Sequence, residues 1–124
     1  MKTVLLADDN ADIIELVQLV LGNSGYRMLT AGDGEAAVNI SLEQKPDLVL
    51  MDLRMPKMNG IEATKALRAK GFDKPIVVLT GSESETDKQN ATAAGCNAYI
   101  VKTLDMDGVE HMIDHFLTDT GGMD

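Results

Sequence analysis

The sequence has one cysteine, little positive charge and no long apolar run, and each shortage excludes a class of protein. Among its 124 residues Cys96 is the single cysteine, so no disulfide can form within the chain, and we expect a reducing compartment. The net charge of -9 argues against nucleic acid or an anionic membrane as the direct partner, because both are polyanions. No apolar run approaches the roughly 20 residues of a membrane helix, so we expect a cytoplasmic protein.

The chain also lacks internal repeats, low-complexity segments and linkers. Its length of 124 residues suits one domain with one hydrophobic core. We predict a domain over residues 1–118 and a short flexible tail over residues 119–124, which are polar and rich in glycine. The apolar stretch after Lys2 is short and meets two aspartates, so we expect no targeting segment.

Short, uninterrupted apolar segments recur along the chain and predict strands. Runs that do not alternate with polar residues are typical of strands covered on both faces. The segment Tyr26–Thr30 contains a charged residue, so we predict a less buried strand there, at an edge of the sheet. The four apolar runs are Val4–Ala7, Leu48–Met51, Ile76–Leu79 and Ala98–Val101.

Helical patterns separate these segments. Five successive strand and helix pairs predict an α/β fold with a parallel sheet and helices on both faces. The fourth helix has only alanines on its apolar face, so we expect it to be the most loosely packed element. The predicted helices with recognisable ends are Asp12–Leu21, Gly34–Gln44 capped by Asp33, Gly60–Lys70 with an Asn59 and Glu62 capping box, and Ser82–Ala94 with Ser82 and Glu85 at its start.

Polar side chains follow four of the predicted strands. Asp8 and Asp9 end the first strand, and Asp52 ends the third. Carboxyl ends of parallel strands face the crevice where such folds bind ligands. Three acids converging there repel one another unless a hard cation or protons offset them. Thr80 and Lys102 add a hydroxyl and an ammonium group, so the pattern predicts a site for a divalent cation and a phosphoryl group.

Taken in order, these residues resemble the receiver domain of bacterial two-component response regulators, in particular the stand-alone chemotaxis-regulator type. The resemblance implies a doubly wound, flavodoxin-like fold with five helices and a parallel sheet in the order 2-1-3-4-5. It extends from Val4 to about Leu117, and the segments that carry it are Asp8–Asp9, Met51–Gly60, Leu79–Thr80, Ala94–Gly95, Tyr99 and Lys102.

The resemblance also implies roles for the acidic residues. Asp52 would accept a phosphoryl group as an acyl phosphate. Asp8, Asp9 and Asp52, together with the backbone carbonyl of Arg54, would bind Mg²⁺. Arg54 and Ser82 stand at positions that tune the lifetime of the phosphoryl group in the family. The Arg54 side chain could pair with the acids or lean over the phosphoryl group.

Three further residues have implied roles in switching. Lys102 would pair with the phosphoryl oxygens, and Thr80 would hydrogen-bond one of them. Tyr99 would turn inward as Thr80 moves toward the phosphoryl group.

The sequence departs from the family at Thr103, where the family has a proline after a cis bond. A cis bond before a non-proline residue costs about 2.5–4 kcal/mol, so this loop either stores strain or takes another path.

The function implied is that of a stand-alone response regulator without other enzymatic activity. A sensor histidine kinase would phosphorylate Asp52, and a face made of the fourth helix, fifth strand and fifth helix would then bind a protein target. We expect a monomer or weak dimer that contacts neither nucleic acid nor membrane directly. The alternative is a phosphorelay intermediate that passes its phosphoryl group to a histidine phosphotransfer protein. Residues Gly60–Thr64 are similar to receivers of hybrid kinases, which favours that alternative slightly.

Two other classes fit less well. A phosphatase of the haloacid-dehalogenase type needs an Asp-x-Asp pair on its first strand, whereas Asp8 and Asp9 are adjacent and Asp52 follows the third strand. A flavodoxin-like carrier of FMN needs a hydroxyl-rich phosphate loop, and the adjacent acids would repel phosphate. His111 and His115 could share a helical face, but no glutamate follows His111 as a zinc protease motif requires, so we interpret both as solvent-exposed.

Overall fold

A computed structural model describes residues 2–102 and 106–122. Thr103 lies outside these residues, so the predicted departure of the Lys102–Thr103 bond from the family stays a prediction. The described residues contain five strands and five helices in strict alternation. Their bounds are β1 Thr3–Ala7, α1 Ala11–Asn23, β2 Arg27–Ala31, α2 Gly34–Gln44, β3 Leu48–Met51, α3 Gly60–Ala69, β4 Ile76–Thr80, α4 Glu85–Ala94, β5 Ala98–Val101 and α5 Met106–Gly122.

The strands form one parallel sheet in the order β2-β1-β3-β4-β5, which confirms the predicted fold. The segment predicted as a less buried strand is β2, and it lies at one edge. Helix α5 continues to Gly122, and a domain boundary at residue 118 stays a prediction. No helix within the described ranges has both the length and the apolar character needed to cross a bilayer.

Alternate strand residues build a core on each face of the sheet. Leu5 and Ala7 pack on one face with residues of α2 and α3, while Val4 and Leu6 pack on the other with residues of α1 and α5. All four side chains are at most 1% exposed. The apolar runs of β1, β3 and β4 therefore reflect burial on both faces, as the sequence predicted. The prediction was wrong for the fourth run, because β5 is an edge strand and its four residues are only partly buried.

The strand register brings the acidic residues to one edge. Ala7 at the end of β1 pairs with Ala31 of β2 and with Met51 of β3. The next residues continue this pairing through their backbones, because Asp8 N donates to Ala31 O at 3.0 Å and Asp52 N donates to Ala7 O at 2.9 Å. The carboxylates of both aspartates therefore emerge side by side at the carboxyl edge of the sheet.

Two glycines allow the helices behind this edge to approach it closely. A Cβ atom at Gly60, the first residue of α3, would lie 2.1 Å from the backbone oxygen of Asp52. A Cβ atom at Gly34, the first residue of α2, would lie 1.9 Å from the backbone oxygen of Met58. Any side chain at either position would displace backbone, so these glycines fix where Asp52 and the loop after it can lie.

The predicted start of the fourth helix was wrong. Helix α4 begins at Glu85, and its N-cap is Ser84, whose Oγ accepts a hydrogen bond from Asp87 N at 3.2 Å. Ser82 lies outside the helix, and its hydroxyl donates to the Asp87 carboxylate at 2.6 Å. The sequence offers two overlapping patterns of serine followed three residues later by an acid, and the second one forms the cap.

Candidate metal and phosphoryl site

Three carboxylates converge at the carboxyl edge. Oxygen atoms of Asp8, Asp9 and Asp52 all lie within 4.8 Å of one another, and no other group of acidic, histidine or cysteine residues in the described ranges meets this criterion. Asp8 is 1% exposed and Asp52 is 6% exposed, whereas Asp9 is open to solvent. Two nearly buried acids and one accessible acid form a pocket that a small ion can enter from solvent.

Lys102 supplies the cation nearest to these acids. Its Nζ lies 2.7 Å from Oδ2 of Asp8 and 3.4 Å from Oδ2 of Asp52. Burial alone would lower the pKa of the Lys102 ammonium, but its contacts with Asp8 and Asp52 outweigh burial and raise that pKa above its ordinary value. Lys102 is therefore charged at neutral pH, and its single charge faces three carboxylates.

Burial and the neighbouring Asp8 charge raise the pKa of Asp52 above its ordinary value. The Lys102 ammonium and a backbone hydrogen bond from Arg54 act in the opposite direction and do not cancel that effect. The folded protein therefore disfavours the ionised form of the Asp52 carboxyl group. A cation or a bond to an electrophile at this carboxylate would relieve part of the cost of ionisation.

The residues predicted to handle a phosphoryl group line one open cavity. It has a volume of about 360 Å³ and is bordered by Asp52, Arg54, Thr80, Gly81, Ser82 and Lys102. Thr80 is buried at the end of β4, and its Oγ1 accepts a hydrogen bond from Ser82 N at 3.3 Å. Lys102 N donates to Thr80 O at 2.6 Å, which links the ends of β4 and β5. The sheet therefore brings hydroxyl, ammonium and carboxylate groups around one space.

The Arg54 side chain pairs with none of the three acids of the site, and its orientation toward a phosphoryl group stays a prediction. Its Nη2 lies 3.1 Å from Oδ2 of Asp87, in the first turn of α4. The same carboxylate oxygen accepts the Ser82 hydroxyl. Asp87 is the site residue that the sequence interpretation missed, although the Ser84 to Asp87 capping pattern marked its place in the helix.

Tyr99 connects the edge strand β5 to the loop between β4 and α4, which contains Ser82. Its hydroxyl donates to the backbone oxygen of Ser82 at 2.9 Å, and its ring packs with Leu53, Val78 and Ala91. The side chain is partly buried. Tyr99 therefore contacts the loop that follows Thr80 and does not line the cavity itself.

The remaining candidate residues lie elsewhere. His111 and His115 are exposed on α5, as predicted, and neither belongs to the acidic group. Cys96 is only partly buried, and burial raises the pKa of its thiol above the ordinary value. Neither the histidines nor the thiol contributes to the site at the carboxyl edge.

The donor set suits Mg²⁺. Carboxylate oxygens are the ligands that this hard cation prefers, and it commonly binds through one or two carboxylates while keeping several waters. Asp8, Asp9 and Asp52 offer such oxygens within 4.8 Å of one another. A divalent ion would also correct the excess of three carboxylates over one ammonium.

Sequence comparisons agree with this geometry. The family model described as the response regulator receiver domain matches residues 4–114. The transcriptional regulatory protein PhoP of Bacillus subtilis, named for alkaline phosphatase synthesis, is 40% identical over 101 residues, which cover 82% of this chain and 42% of PhoP. TcrX of Mycobacterium tuberculosis, a probable transcriptional regulatory protein, is 31% identical over 96% of this chain and 51% of its own length. The chain thus spans about half the length of these curated relatives or less.

Two solved structures share this fold over nearly the whole of their own chains. The response regulator TrrA of Thermotoga maritima, in complex with Mg²⁺-BeF, superposes with a TM-score of 0.86 at 31% identity and covers 94% of this chain and 99% of that one. The chemotaxis protein CheY4 of Vibrio cholerae superposes with a TM-score of 0.87 at 30% identity, covering 94% and 98%. The family match, the sheet order and the acidic edge agree with the resemblance found in the sequence. The family match favours the receiver over the phosphatase and flavin alternatives, whereas the sheet order is shared with flavodoxins and does not distinguish them. The chain belongs to the response regulator receiver domain family.

Proposed function

We propose that this receiver is a phosphorylation-driven switch in which Asp52 accepts a phosphoryl group from the phosphohistidine of a sensor histidine kinase. The observation that carries the proposal is the convergence of Asp52, Thr80 and Lys102 on one cavity of about 360 Å³ beside Asp8 and Asp9. An Asp52 oxygen would bond to phosphorus as the bond from phosphorus to the histidine nitrogen breaks. The products are an acyl phosphate and a neutral imidazole.

Asp8, Asp9 and Asp52 would hold Mg²⁺, with the backbone carbonyl of Arg54 as a further ligand. When bound, the ion supplies charge neutralisation for the transferring phosphoryl group. The acidic cluster of this chain supports its binding. The Mg²⁺-BeF complex of TrrA, at 31% identity, supports it independently.

The protein groups would act by position and charge. Phosphoryl transfer places charge on the oxygens of the transferring group, and catalysis consists mainly of alignment and electrostatic stabilisation. Lys102 is held between Asp8 and Asp52 at 2.7 and 3.4 Å, so its ammonium stands next to the acceptor oxygen. Thr80 contributes a buried hydroxyl that could donate to a phosphoryl oxygen.

The signal would leave the site through Ser82 and Tyr99. Ser82 N donates to Thr80 Oγ1, and Tyr99 donates its hydroxyl to Ser82 O. If Thr80 turns toward a phosphoryl oxygen, Ser82 N loses that acceptor and the loop at Ser82 can shift. A shift of Ser82 O would break its hydrogen bond with Tyr99 and allow that side chain to reorient. Because Tyr99 lies on edge strand β5 beside α4, we propose the face of α4, β5 and α5 as the surface that binds the target.

Two uses of the switch compete. A stand-alone switch would dock a target directly, and the similarity to the chemotaxis protein CheY4, at 30% identity, is the observation that favours it. A relay intermediate would hand its phosphoryl group to a histidine phosphotransfer protein. A long-lived phosphoryl group that transfers to such a protein supports the relay, while rapid self-hydrolysis supports the terminal switch.

Intact-mass spectrometry after incubation with Mg²⁺ and acetyl phosphate tests the central step. We expect one added phosphoryl group on the wild-type chain and none on Asp52→Asn. Asp73→Asn is the matched control, because Asp73 is an exposed aspartate in the loop between α3 and β4, and it should be modified like the wild type. An unmodified wild-type chain that is folded and binds Mg²⁺ would leave a binding module that works without phosphorylation.

A further inference from the structure

A network of polar contacts joins the loop after β3 to the start of α4. Arg54 Nη2 lies 3.1 Å from Asp87 Oδ2, and the Ser82 hydroxyl donates to the same oxygen at 2.6 Å. Asp87 N in turn donates to the Ser84 cap. Asp87 thus holds Arg54 with its carboxylate while its own backbone is part of the first turn of α4.

Arg54 stands between two cavities. It borders the cavity of about 360 Å³ that contains Asp52 and Lys102. It also borders a wider groove of about 550 Å³ that contains Asp9 and Asp87. Its side chain is 74% exposed, whereas that of Asp87 is 23% exposed, so the arginine is the member of the pair with freedom to move. The Arg54 guanidinium can therefore either extend into the cavity beside Asp52 or pair with Asp87.

We propose that Asp87 is a positioning residue that competes with the Asp52 phosphoryl group for Arg54. A phosphoryl group brings about two negative charges and three acceptor oxygens, and arginine pairs with such groups bidentately. Asp87 offers one charge and shares its oxygen with Ser82. The competition therefore favours the phosphoryl group, and Asp87 limits how often Arg54 pairs with it.

This inference rests on phosphorylation of Asp52 and concerns how long that state lasts. Hydrolysis requires a water oxygen to attack phosphorus while the bond from phosphorus to the Asp52 oxygen breaks, which returns a carboxylate and inorganic phosphate. Arg54 borders the cavity through which that water must approach. When Arg54 pairs with the phosphoryl oxygens, its side chain occupies this space and shields the acyl phosphate from water. When Arg54 pairs with Asp87 instead, the acyl phosphate is accessible to water.

A double-mutant cycle on phosphoryl lifetime tests the competition. Asp87→Asn retains a hydrogen-bond acceptor for Ser82 but removes the charge that holds Arg54. We expect it to lengthen the lifetime about two- to fivefold, within the range that an exposed ion pair supports. In the Arg54→Met background the same Asp87→Asn change should have no effect, because the residue through which Asp87 acts is absent. Lifetimes are followed by intact mass after removal of acetyl phosphate.

The control is Glu85→Gln, which removes an equal charge from the same first turn of α4. It should leave the lifetime unchanged. An Asp87→Asn effect that persists without Arg54, or a lifetime that is unchanged or shortened, would overturn the competition. Failure of the wild-type chain to form any adduct would instead refute the proposed phosphorylation.

A readout without a phosphodonor separates positioning from folding. If Asp87 holds Arg54, Arg54→Met should alter amide signals of Ser84 and Asp87 in NMR spectra of the unmodified protein and leave global stability unchanged. Unchanged signals at α4 would show that the contact between Arg54 and Asp87 does not form in solution, and they would overturn the inference.

Discussion

A partly buried cationic side chain lies at each end of the sheet. The one at the carboxyl edge contacts charged carboxylates, and the one at the amino end contacts neutral oxygens. At the carboxyl edge, Lys102 faces the carboxylates of Asp8 and Asp52. At the amino ends of β4 and β5, the Arg68 guanidinium faces neutral oxygens. It donates to the backbone oxygens of Gly95, Phe72 and Lys74 and to the side-chain oxygen of Asn97, at 3.0, 2.7, 2.9 and 2.8 Å respectively.

The difference separates a structural contact from a functional one. Arg68 joins the end of α3 to the loops before β4 and β5, and all three of its nitrogens have partners. Lys102 brings one positive charge to three carboxylates, and it makes the only ion pairs with them among the described residues. The amino end is therefore complete within the chain, whereas the proposed function completes the carboxyl edge with a cation and a phosphoryl group from outside.

The largest expected effect is the loss of stability in Arg68→Ala. The substitution takes the Arg68 donor from three backbone oxygens, while the Asn97 side-chain oxygen keeps its hydrogen bond from Ile76 N. We therefore expect the free energy of unfolding to fall by about 2–4 kcal/mol. Urea denaturation measures the change. Arg68→Lys keeps the charge but cannot reach four acceptors with one nitrogen, and it should restore only a small part of the loss.

Arg68→Ala also tests whether the two ends are independent. At a temperature where the variant remains folded, it should accept a phosphoryl group at Asp52 as the wild type does. A variant that is folded but cannot be phosphorylated would contradict the division between a structural end and a functional edge.

A smaller effect of opposite sign is expected for Asp52→Asn. Burial and Asp8 raise the pKa of Asp52, so its ionisation costs folding free energy. That cost is absent below the ordinary pKa of 3.8 and is complete once the pH has risen past the raised folded-state pKa. The neutral amide avoids the cost, and we expect a gain of about 1 kcal/mol at pH 7.

The pH dependence supplies the control for Asp52→Asn. In denaturation experiments near pH 3 the carboxyl is protonated in both states, so the variant and the wild type should be about equally stable. A variant that is less stable than the wild type at pH 7 would show that Asp52 contributes to the fold as Arg68 does.

The smallest effect is expected at Tyr26, which precedes β2 at the sheet edge opposite β5. Its hydroxyl donates to Asp114, and burial together with that contact raises the pKa of Tyr26 to about 12. This contribution to stability is present below the ordinary pKa of 10.0 and is lost as the pH rises through about 12. Tyr26→Phe should remove the component near pH 12 from an absorbance titration and change stability at pH 7 by at most about 1 kcal/mol.

The fold was predictable because its signals are local and agree with one another. Apolar runs such as Leu48–Met51 mark strands buried on both faces, and Asn59 with Glu62 marks the start of α3, where both capping hydrogen bonds form. The acidic site was predictable because Asp8 and Asp52 immediately follow adjacent parallel strands, and the register then places them together.

The contacts between Arg54, Asp87 and Ser82 were not predictable from the sequence. Each depends on the direction of a side chain across two loops, and no periodic pattern encodes that direction. The start of α4 was predicted incorrectly for a related reason. Ser82 and Ser84 both fit a cap, and only tertiary contacts from Asp87 and Tyr99 assign Ser82 to the loop.

The most direct test of the claim that a cation completes the carboxyl edge is thermal or urea unfolding as a function of Mg²⁺ concentration. A ligand that binds only the folded state stabilises it by about 2.7 kcal/mol at 100 times its dissociation constant. We predict such a rise for the wild type and for Asp73→Asn, and its loss in Asp8→Asn. A wild-type protein whose stability does not respond to Mg²⁺, or an equal response in Asp8→Asn, would contradict the claim.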